Sequence, residues 1–299
     1  MRIFILSISF SLLTLATFAQ VKVQMVAPQA TQEGLKTVHS PHIALQPPAG
    51  TDQHRLLIMI GGTGSVATSF RTFDSCFAAM GYHVISPDYL NNVITTVCSK
   101  SEDRACFDHF RQEIMFGTPV SDKVAVDSAN SLVHRVSALL VYLAKNDPAG
   151  GWQQFLKKGQ PRWDRIIAAG HSQGAGHAAY FGKKFRMRGV FMFSGPQDYL
   201  QYFNSPAHWQ GESSRTPASR YYAFLHAQDP FNYSYQAQNV SLINHHPVTD
   251  TTMVQPGVPV HSQYHVLVTD INKKDKHSAT ISPEFIEVWK YMVSGIAGR

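Results

Sequence analysis

Short apolar runs rich in β-branched and aromatic residues alternate with helix-like stretches along most of the chain. Glycine, proline or serine follows most of these runs, so each run ends at a turn. Near-continuous apolar strands are typical of a parallel sheet that is buried on both faces. The alternation therefore predicts an α/β fold, a mostly parallel central sheet with helices on both faces, and residues 35–45 are expected to add antiparallel edge strands. The runs span residues 56–60, 82–86, 165–169, 189–193, 220–226 and 264–269.

Two stretches carry the apolar spacing of amphipathic helices. In residues 125–143, apolar side chains recur at intervals of three and four, with Ser121 as the expected N-cap and Asp147 as the expected end. Ser282, which precedes a proline and a glutamate, predicts the start of a last helix. Gly295 is expected to end that helix.

The composition fits a globular chain and argues against nucleic-acid binding. The 299 residues carry a formal net charge of +6, but only 15% of them are charged. The basic clusters are short and separated along the sequence, so they are expected to be solvated surface. No repeat or linker is evident, and residues 20–299 are predicted to form one domain. Loop insertions near 89–121 and 199–218 are expected to shape a pocket.

The N-terminus has the three parts of a cleavable signal peptide. A positive start at Arg2 is followed by an apolar stretch over residues 3–16, and Ala19 precedes the polar Gln20. The alternative is a membrane anchor, but this stretch is shorter than the roughly 20 residues that a spanning helix needs. Residues 1–19 are therefore predicted to be removed near Ala19-Gln20. The mature protein is expected in the periplasm or outside the cell, without a stable membrane anchor.

Export permits disulfides, and the chain has three cysteines. Cys98 and Cys106 lie eight residues apart in a polar stretch, and we predict a bridge between them that closes a small loop. Cys76 lies in a helix-like stretch and is expected to be a buried thiol. The alternative is three free thiols.

One motif carries the chemistry. Gly-His-Ser-Gln-Gly at residues 170–174 lies directly after the predicted strand 165–169 and before an Ala-rich helical stretch. A serine at the centre of such a tight turn points its hydroxyl away from the sheet. Side chains at the first and last positions of the motif would collide with neighbouring backbone, which favours glycine at both. The following helix aims backbone N–H groups at a developing oxyanion. The alternative is a glycine-rich turn with an inert serine.

With Gly170, His171 and Gly174 around Ser172, this motif resembles the nucleophile elbow of the α/β-hydrolase superfamily, and the resemblance extends over about residues 56–292. The Gly-Thr-Gly after the first predicted strand and the cysteine pair are also similar to a group of largely uncharacterised secreted members from bacteria and fungi. That narrower resemblance brings no substrate with it. The superfamily resemblance implies an acid and then a histidine after Ser172, each at the carboxyl end of a strand.

This chain order selects the expected partners of the serine. His277 follows the sixth apolar run and is predicted to be the general base, with His246 as the runner-up. Asp229 follows the fifth run and is predicted to orient the histidine and to stabilise its protonated form. Asp198 follows the fourth run and is the alternative acid, because some superfamily members take the acid from that strand.

Two backbone N–H groups are expected to form an oxyanion hole. One belongs to Gln173, directly after the serine, and the other to Thr63 in the glycine-rich loop 61–64. The superfamily often has His-Gly where this chain has two glycines, so Thr63 is the predicted second donor. A glycine-rich loop can also hold phosphate. This one lacks the Gly-Lys-Ser/Thr of a P-loop and the third glycine of G-x-G-x-x-G, where Ala67 stands.

The sequence thus predicts an exported serine hydrolase that cleaves small or polymeric carboxylic esters through an acyl-enzyme. The alternatives are a peptidase or another acyl hydrolase on the same residues, and a non-catalytic binding protein with this fold. No cofactor is expected, and no H-E-x-x-H or C-x-x-C spacing indicates a metal site. Aromatic residues of the two insertions are candidates either for the pocket or for the core: Phe107, Phe110, Tyr202, Phe203 and Trp209.

Overall fold

A nine-stranded, mostly parallel sheet organises residues 20–297, the part of the chain that the computed structural model describes. Its strands are β1 Lys22–Val26, β2 His42–Gln46, β3 Leu56–Ile60, β4 His83–Ser86, β5 Ile166–His171, β6 Gly189–Phe193, β7 Tyr221–His226, β8 Thr251–Met253 and β9 Val266–Thr269. They lie in the order β1-β2-β4-β3-β5-β6-β7-β9-β8. The pairs β1–β2 and β2–β4 are antiparallel, and the other pairs are parallel. The predicted fold class is confirmed.

Helices cover both faces of this sheet. They are α1 Pro28–Thr31, α2 Arg71–Ala79, α3 Cys106–Phe116, α4 Leu132–Asn146, α5 Gln173–Lys184, α6 Tyr233–Asn244 and α7 Ile286–Ala297. Apolar residues of α2 and α7 belong to one core cluster, and those of α3, α4, α5 and α6 belong to the other.

The strand β3 shows why the apolar runs are continuous. Leu56, Ile58 and Ile60 belong to one core cluster, and Leu57 and Met59 belong to the other. All five side chains are 0% exposed. Successive side chains of a strand point to opposite faces, so burial on both faces makes every position apolar.

The helix predicted over residues 125–143 begins later than its apolar spacing indicated. Ser121 is not its N-cap; α4 begins at Leu132, and Ser131 Oγ accepts the hydrogen bond of the His134 backbone N–H. The buried carboxylate of Glu113 accepts the backbone N–H groups of Val120, Ser121 and Val126 instead. These bonds hold the segment in an irregular conformation, which periodicity alone does not reveal.

Gly295 does not end the last helix, contrary to the sequence expectation. A short 3-10 helix at Pro283–Phe285 leads into α7, which continues through Gly295 to Ala297. A Cβ at position 295 would collide with the hydroxyl of Tyr222 on β7. This glycine therefore serves close helix–sheet packing rather than helix termination.

The antiparallel edge and the first insertion also differ in detail from expectation. The edge consists of β1 and β2, so it begins well before residue 35. The insertion near 89–121 contains α3. The predicted disulfide between Cys98 and Cys106 is present, and both cysteines are buried. Cys76 on α2 is a free thiol, but it is only half-buried.

The predicted signal peptide, residues 1–19, lies outside the described residues. Between residues 20 and 297, no helix combines the length and the apolar character that crossing a bilayer requires.

Candidate active site

Ser172 lies at the tight turn between β5 and α5, at the carboxyl end of the strand. Its backbone has φ 58° and ψ −122°, and a positive φ is uncommon for residues other than glycine. A Cβ on Gly170 would collide with the backbone of Gly174, and a Cβ on Gly174 would collide with the backbone of Ile60. The turn therefore requires glycine at both positions, and it places Ser172 just beyond the carboxyl end of β5.

His277 and Asp229 form a hydrogen-bonded pair. His277 Nδ1 lies 2.8 Å from Asp229 Oδ2, and the Asp229 side chain is 0% exposed. Burial raises the pKa of Asp229, but the hydrogen bond and the charge of His277, with a hydrogen bond from the Phe231 N–H, lower it by more. The pKa therefore lies below its ordinary value. The carboxylate fixes the Nδ1 proton of His277, which leaves Nε2 as the basic nitrogen.

His277 Nε2 is buried and has no hydrogen-bond partner among the described residues. Ser172 and His277 line the same cavity, but no hydrogen bond joins Ser172 Oγ to this nitrogen. Catalytic hydrogen bonds are often formed only in the complex with substrate.

Two side chains hold the main-chain carbonyl of His277: Ser194, which sequence reasoning did not assign, and His171, which it named only as part of the elbow. Ser194 Oγ donates to this carbonyl at 2.6 Å, and His171 Nε2 lies 3.0 Å from it. Burial and the neighbouring charge of His277 lower the pKa of His171 to about 4, so the ring is neutral and donates from Nε2. Ser194 directly follows β6, as Ser172 follows β5, and this position was the available sequence signal.

The two predicted oxyanion-hole residues contact each other. Thr63 Oγ1 donates to Gln173 Oε1 at 2.6 Å, which ties the loop after β3 to the first residue of α5. A Cβ on Gly62 would lie 2.9 Å from Ser172 Cβ, so glycine is needed where this loop passes the serine. Over residues 20–297, neither the Thr63 nor the Gln173 backbone N–H has a hydrogen-bond acceptor. Both donors are therefore unused.

Gln197 contacts the serine directly, although the sequence did not single it out. Its Nε2 donates to Ser172 Oγ at 3.2 Å, and the residue is 6% exposed. Gln197 lies four residues after the end of β6 at Phe193. Its only sequence signal was this place after a strand.

Ser172 and His277 line a cavity of about 370 Å³. Its apolar lining comes from Phe70, Ile94 and Phe231, together with Ile281. Ile94 is the one contribution of the first insertion to this lining. The second insertion, 199–218, contributes no described residue to this lining. Residues of both insertions instead line a separate cavity of about 320 Å³, with Asp108 and His208 among them.

None of the five aromatic candidates from the insertions lines this cavity within the described part of the chain. Phe107, Phe110 and Trp209 are buried in the core. Phe203 packs against that core, and Tyr202 is 61% exposed.

The alternative catalytic residues lie in other environments. Asp198 accepts two hydrogen bonds from Arg111, from Nε at 2.8 Å and from Nη2 at 2.6 Å, and both side chains are 0% exposed. His246 lines a different cavity together with His265, beside the amino end of β9. Neither residue lines the cavity of Ser172.

One group with metal-ligating side chains occurs away from this cavity in the described residues. Asp108, His208 and Glu212 place one ligand atom each within 4.8 Å of one another. The His208 side chain is exposed, and Glu212 already forms an ion pair with Lys184. Sequence spacing did not indicate this cluster, because its members come from α3 and from the second insertion.

No protein-family model and no curated protein sequence matches the chain. It is similar in structure to an S-formylglutathione hydrolase from Agrobacterium tumefaciens, at 13% identity and a TM-score of 0.51, over 94% of this chain and 97% of that one. TT1662 from Thermus thermophilus has 14% identity and a TM-score of 0.49, over 94% of this chain and 100% of that one. An alpha-beta serine hydrolase homologue from Coxiella burnetii has 12% identity and a TM-score of 0.46, over 86% and 92%. The strand order and the likeness to the first of these show that the chain has the α/β-hydrolase fold.

Proposed function

We propose that this protein is an exported serine hydrolase that cleaves carboxylic esters through an acyl-enzyme. One observation carries the proposal: Ser172, on a strained turn at the end of β5, shares a cavity with the buried Nε2 of His277, whose Nδ1 is bound to Asp229. A serine hydroxyl is a weak nucleophile unless a base lies within reach and a third group orients that base. These three side chains fulfil the three roles.

In the proposed reaction, Ser172 Oγ attacks the acyl carbon while its proton moves to His277 Nε2. The carbonyl electron pair moves to the oxygen, which the N–H groups of Thr63 and Gln173 stabilise. Removal of one such donor typically costs about 3–4 kcal/mol of transition-state stabilisation. His277 then protonates the leaving alcohol. Water repeats the sequence on the acyl-enzyme and releases the acid.

The lining of the cavity supports an ester with an apolar part. Phe70 is buried, and Ile94 and Phe231 are 43% and 39% exposed at this open site. Apolar surface of this kind favours the burial of hydrocarbon by about 25 cal/mol per Å². Among residues 20–297, no structural feature favours the peptidase alternative over the esterase.

Export is part of the proposal. The Cys98–Cys106 disulfide is compatible with an oxidising compartment, where such bonds persist. The signal peptide itself remains a prediction from the sequence.

Labelling with a fluorophosphonate tests the proposed nucleophile. We expect stoichiometric labelling of the wild type, with the added mass on the peptide that contains Ser172. A parallel panel of short-chain and long-chain nitrophenyl esters and one nitroanilide amide separates esterase from peptidase activity. A wild-type protein that neither reacts with the fluorophosphonate nor hydrolyses any ester would overturn the catalytic proposal in favour of the binding protein.

The Asp229→Asn variant tests the assignment of the acid. We expect a decrease in kcat of about 10⁴-fold with a small change in KM, because an amide at this position favours the wrong tautomer of His277. The measurement is steady-state ester hydrolysis, with Asp270→Asn, at an exposed carboxylate, as the matched control. A kcat within threefold of wild type would assign the acid elsewhere.

A further inference from the structure

The hydrogen bond from Gln197 restricts the directions in which the Ser172 hydroxyl can donate its proton. Its Nε2 donates to Ser172 Oγ at 3.2 Å from the wall of the same cavity. A carboxamide nitrogen is a donor only, so this bond occupies a lone pair of the serine oxygen. The Ser172 proton must then be donated elsewhere. His277 Nε2, buried without a partner in the described structure, is an acceptor in the same cavity.

The segment that carries Gln197 is anchored on both sides. Ser194 Oγ bonds the His277 carbonyl at 2.6 Å and lies 2.8 Å from Thr280 Oγ1. Asn239 Nδ2 donates to the carbonyl of Pro196 at 3.0 Å. The next residue, Asp198, is locked by the two hydrogen bonds from Arg111 and by a third from Trp209 Nε1 at 2.9 Å.

Arg111, which binds Asp198, also binds the nucleophile turn. Arg111 Nη1 donates to the backbone carbonyl of Gln173, the residue after the serine, at 2.8 Å. The segment with Gln197 and the turn with Ser172 are therefore fixed to one buried guanidinium. A side chain held in this way loses little entropy when it orients a reacting group.

We propose that Gln197 is a positioning residue that directs the Ser172 proton toward His277 by donating a hydrogen bond to the serine oxygen. This inference rests on the proposed function and adds a fourth side chain to it. When Oγ bonds to the acyl carbon, the proton leaves for His277 Nε2 and the carbonyl pair moves to its oxygen. Gln197 transfers no proton and keeps its N–H on the bound oxygen.

Two substitutions test this role. Gln197→Met keeps the approximate length of the side chain and removes the donor. We expect kcat to decrease about 10-fold to 100-fold with KM within about twofold, since misorientation of a reacting group has effects of this size. The rate of labelling by a fluorophosphonate, which needs no leaving alcohol, should decrease in parallel.

Gln197→Glu adds a readout that a structural role would not change. The ionised carboxylate accepts a hydrogen bond and draws the serine proton away from His277, whereas the protonated carboxyl can donate as the amide does. We therefore expect the ratio of variant to wild-type kcat/KM to rise at least fivefold between pH 8.5 and pH 5. The other titratable and charged groups near position 197 are present in both proteins: His171, His277, Asp229, Asp198 and Arg111.

Gln153→Glu is the matched control, because it adds the same charge at an exposed glutamine. Gln153 lies close in sequence to Gly150, whose carbonyl contacts His83 at the start of β4. This location is at the amino ends of the strands, whereas Ser172 lies at the carboxyl ends. A pH-independent ratio for Gln197→Glu, or wild-type rates for Gln197→Met, would overturn the role of Gln197 while labelling of Ser172 in the wild type upholds the proposed function. A wild type that neither labels nor turns over would overturn both.

Discussion

Replacing Ser172 by alanine should decrease kcat for ester hydrolysis by about 10⁴-fold to 10⁶-fold, because alanine removes the atom that forms the acyl-enzyme. The thermal unfolding temperature should remain close to that of wild type, since only one oxygen is lost. Steady-state kinetics at saturating ester and a thermal melt measure the two quantities.

The matched control is Ser294→Ala, at an exposed serine of α7, which should keep wild-type rates. The double variant Ser172→Ala/His277→Ala should be about as slow as Ser172→Ala alone, because a base without its nucleophile has no step to assist. Retention of more than about a tenth of the wild-type kcat in Ser172→Ala would locate the nucleophile elsewhere.

Arg111→Met should lower the free energy of unfolding by about 3–5 kcal/mol, because it leaves the Asp198 carboxylate buried without its ion partner. Both side chains are 0% exposed, and Arg111 also bonds the carbonyl of Gln173. For a chain of this size, a loss of that magnitude lowers Tm by about 10 °C. Denaturant titration and calorimetry measure the change.

The variant Arg111→Met/Asp198→Leu should recover part of this loss, since it removes the unpaired charge. Lys290→Met is the control: Lys290 pairs with Glu287 on the exposed side of α7, and its loss should change stability by less than about 1 kcal/mol. A Tm for Arg111→Met within about 2 °C of wild type would show that the ion pair is not intact in solution.

The strands were predictable because burial on both faces leaves a continuous apolar signal. The runs 56–60 and 189–193 have the same bounds as β3 and β6. Helix ends were less predictable. Ala125 and Ala129 continue the apolar spacing of α4, but a distant carboxylate, Glu113, holds the segment before the helix through backbone N–H groups.

The residues that line the pocket were also hard to predict from the sequence, as the two insertions show. Their aromatic residues look identical in sequence whether they line a cavity or fill a core, because both environments are apolar. The structure places Phe107, Phe110 and Trp209 in the core, while Phe70 and Phe231 line the cavity near Ser172. The sequence gives the chemistry of each side chain, but it does not show whether that side chain lines the cavity or packs in the core.

The sequence by itself determined the α/β architecture and the glycines of the nucleophile turn, since both follow from local sterics and from alternation along the chain. Only the tertiary structure decided that Gln197 contacts Ser172 and that His171 contacts the carbonyl of His277. Asp229 and His277 are 48 residues apart, His171 and His277 are 106 apart, and Gln197 lies 25 from Ser172. Parallel strands bring their carboxyl ends to one edge of the sheet, so the strand order, rather than any local pattern, set these contacts.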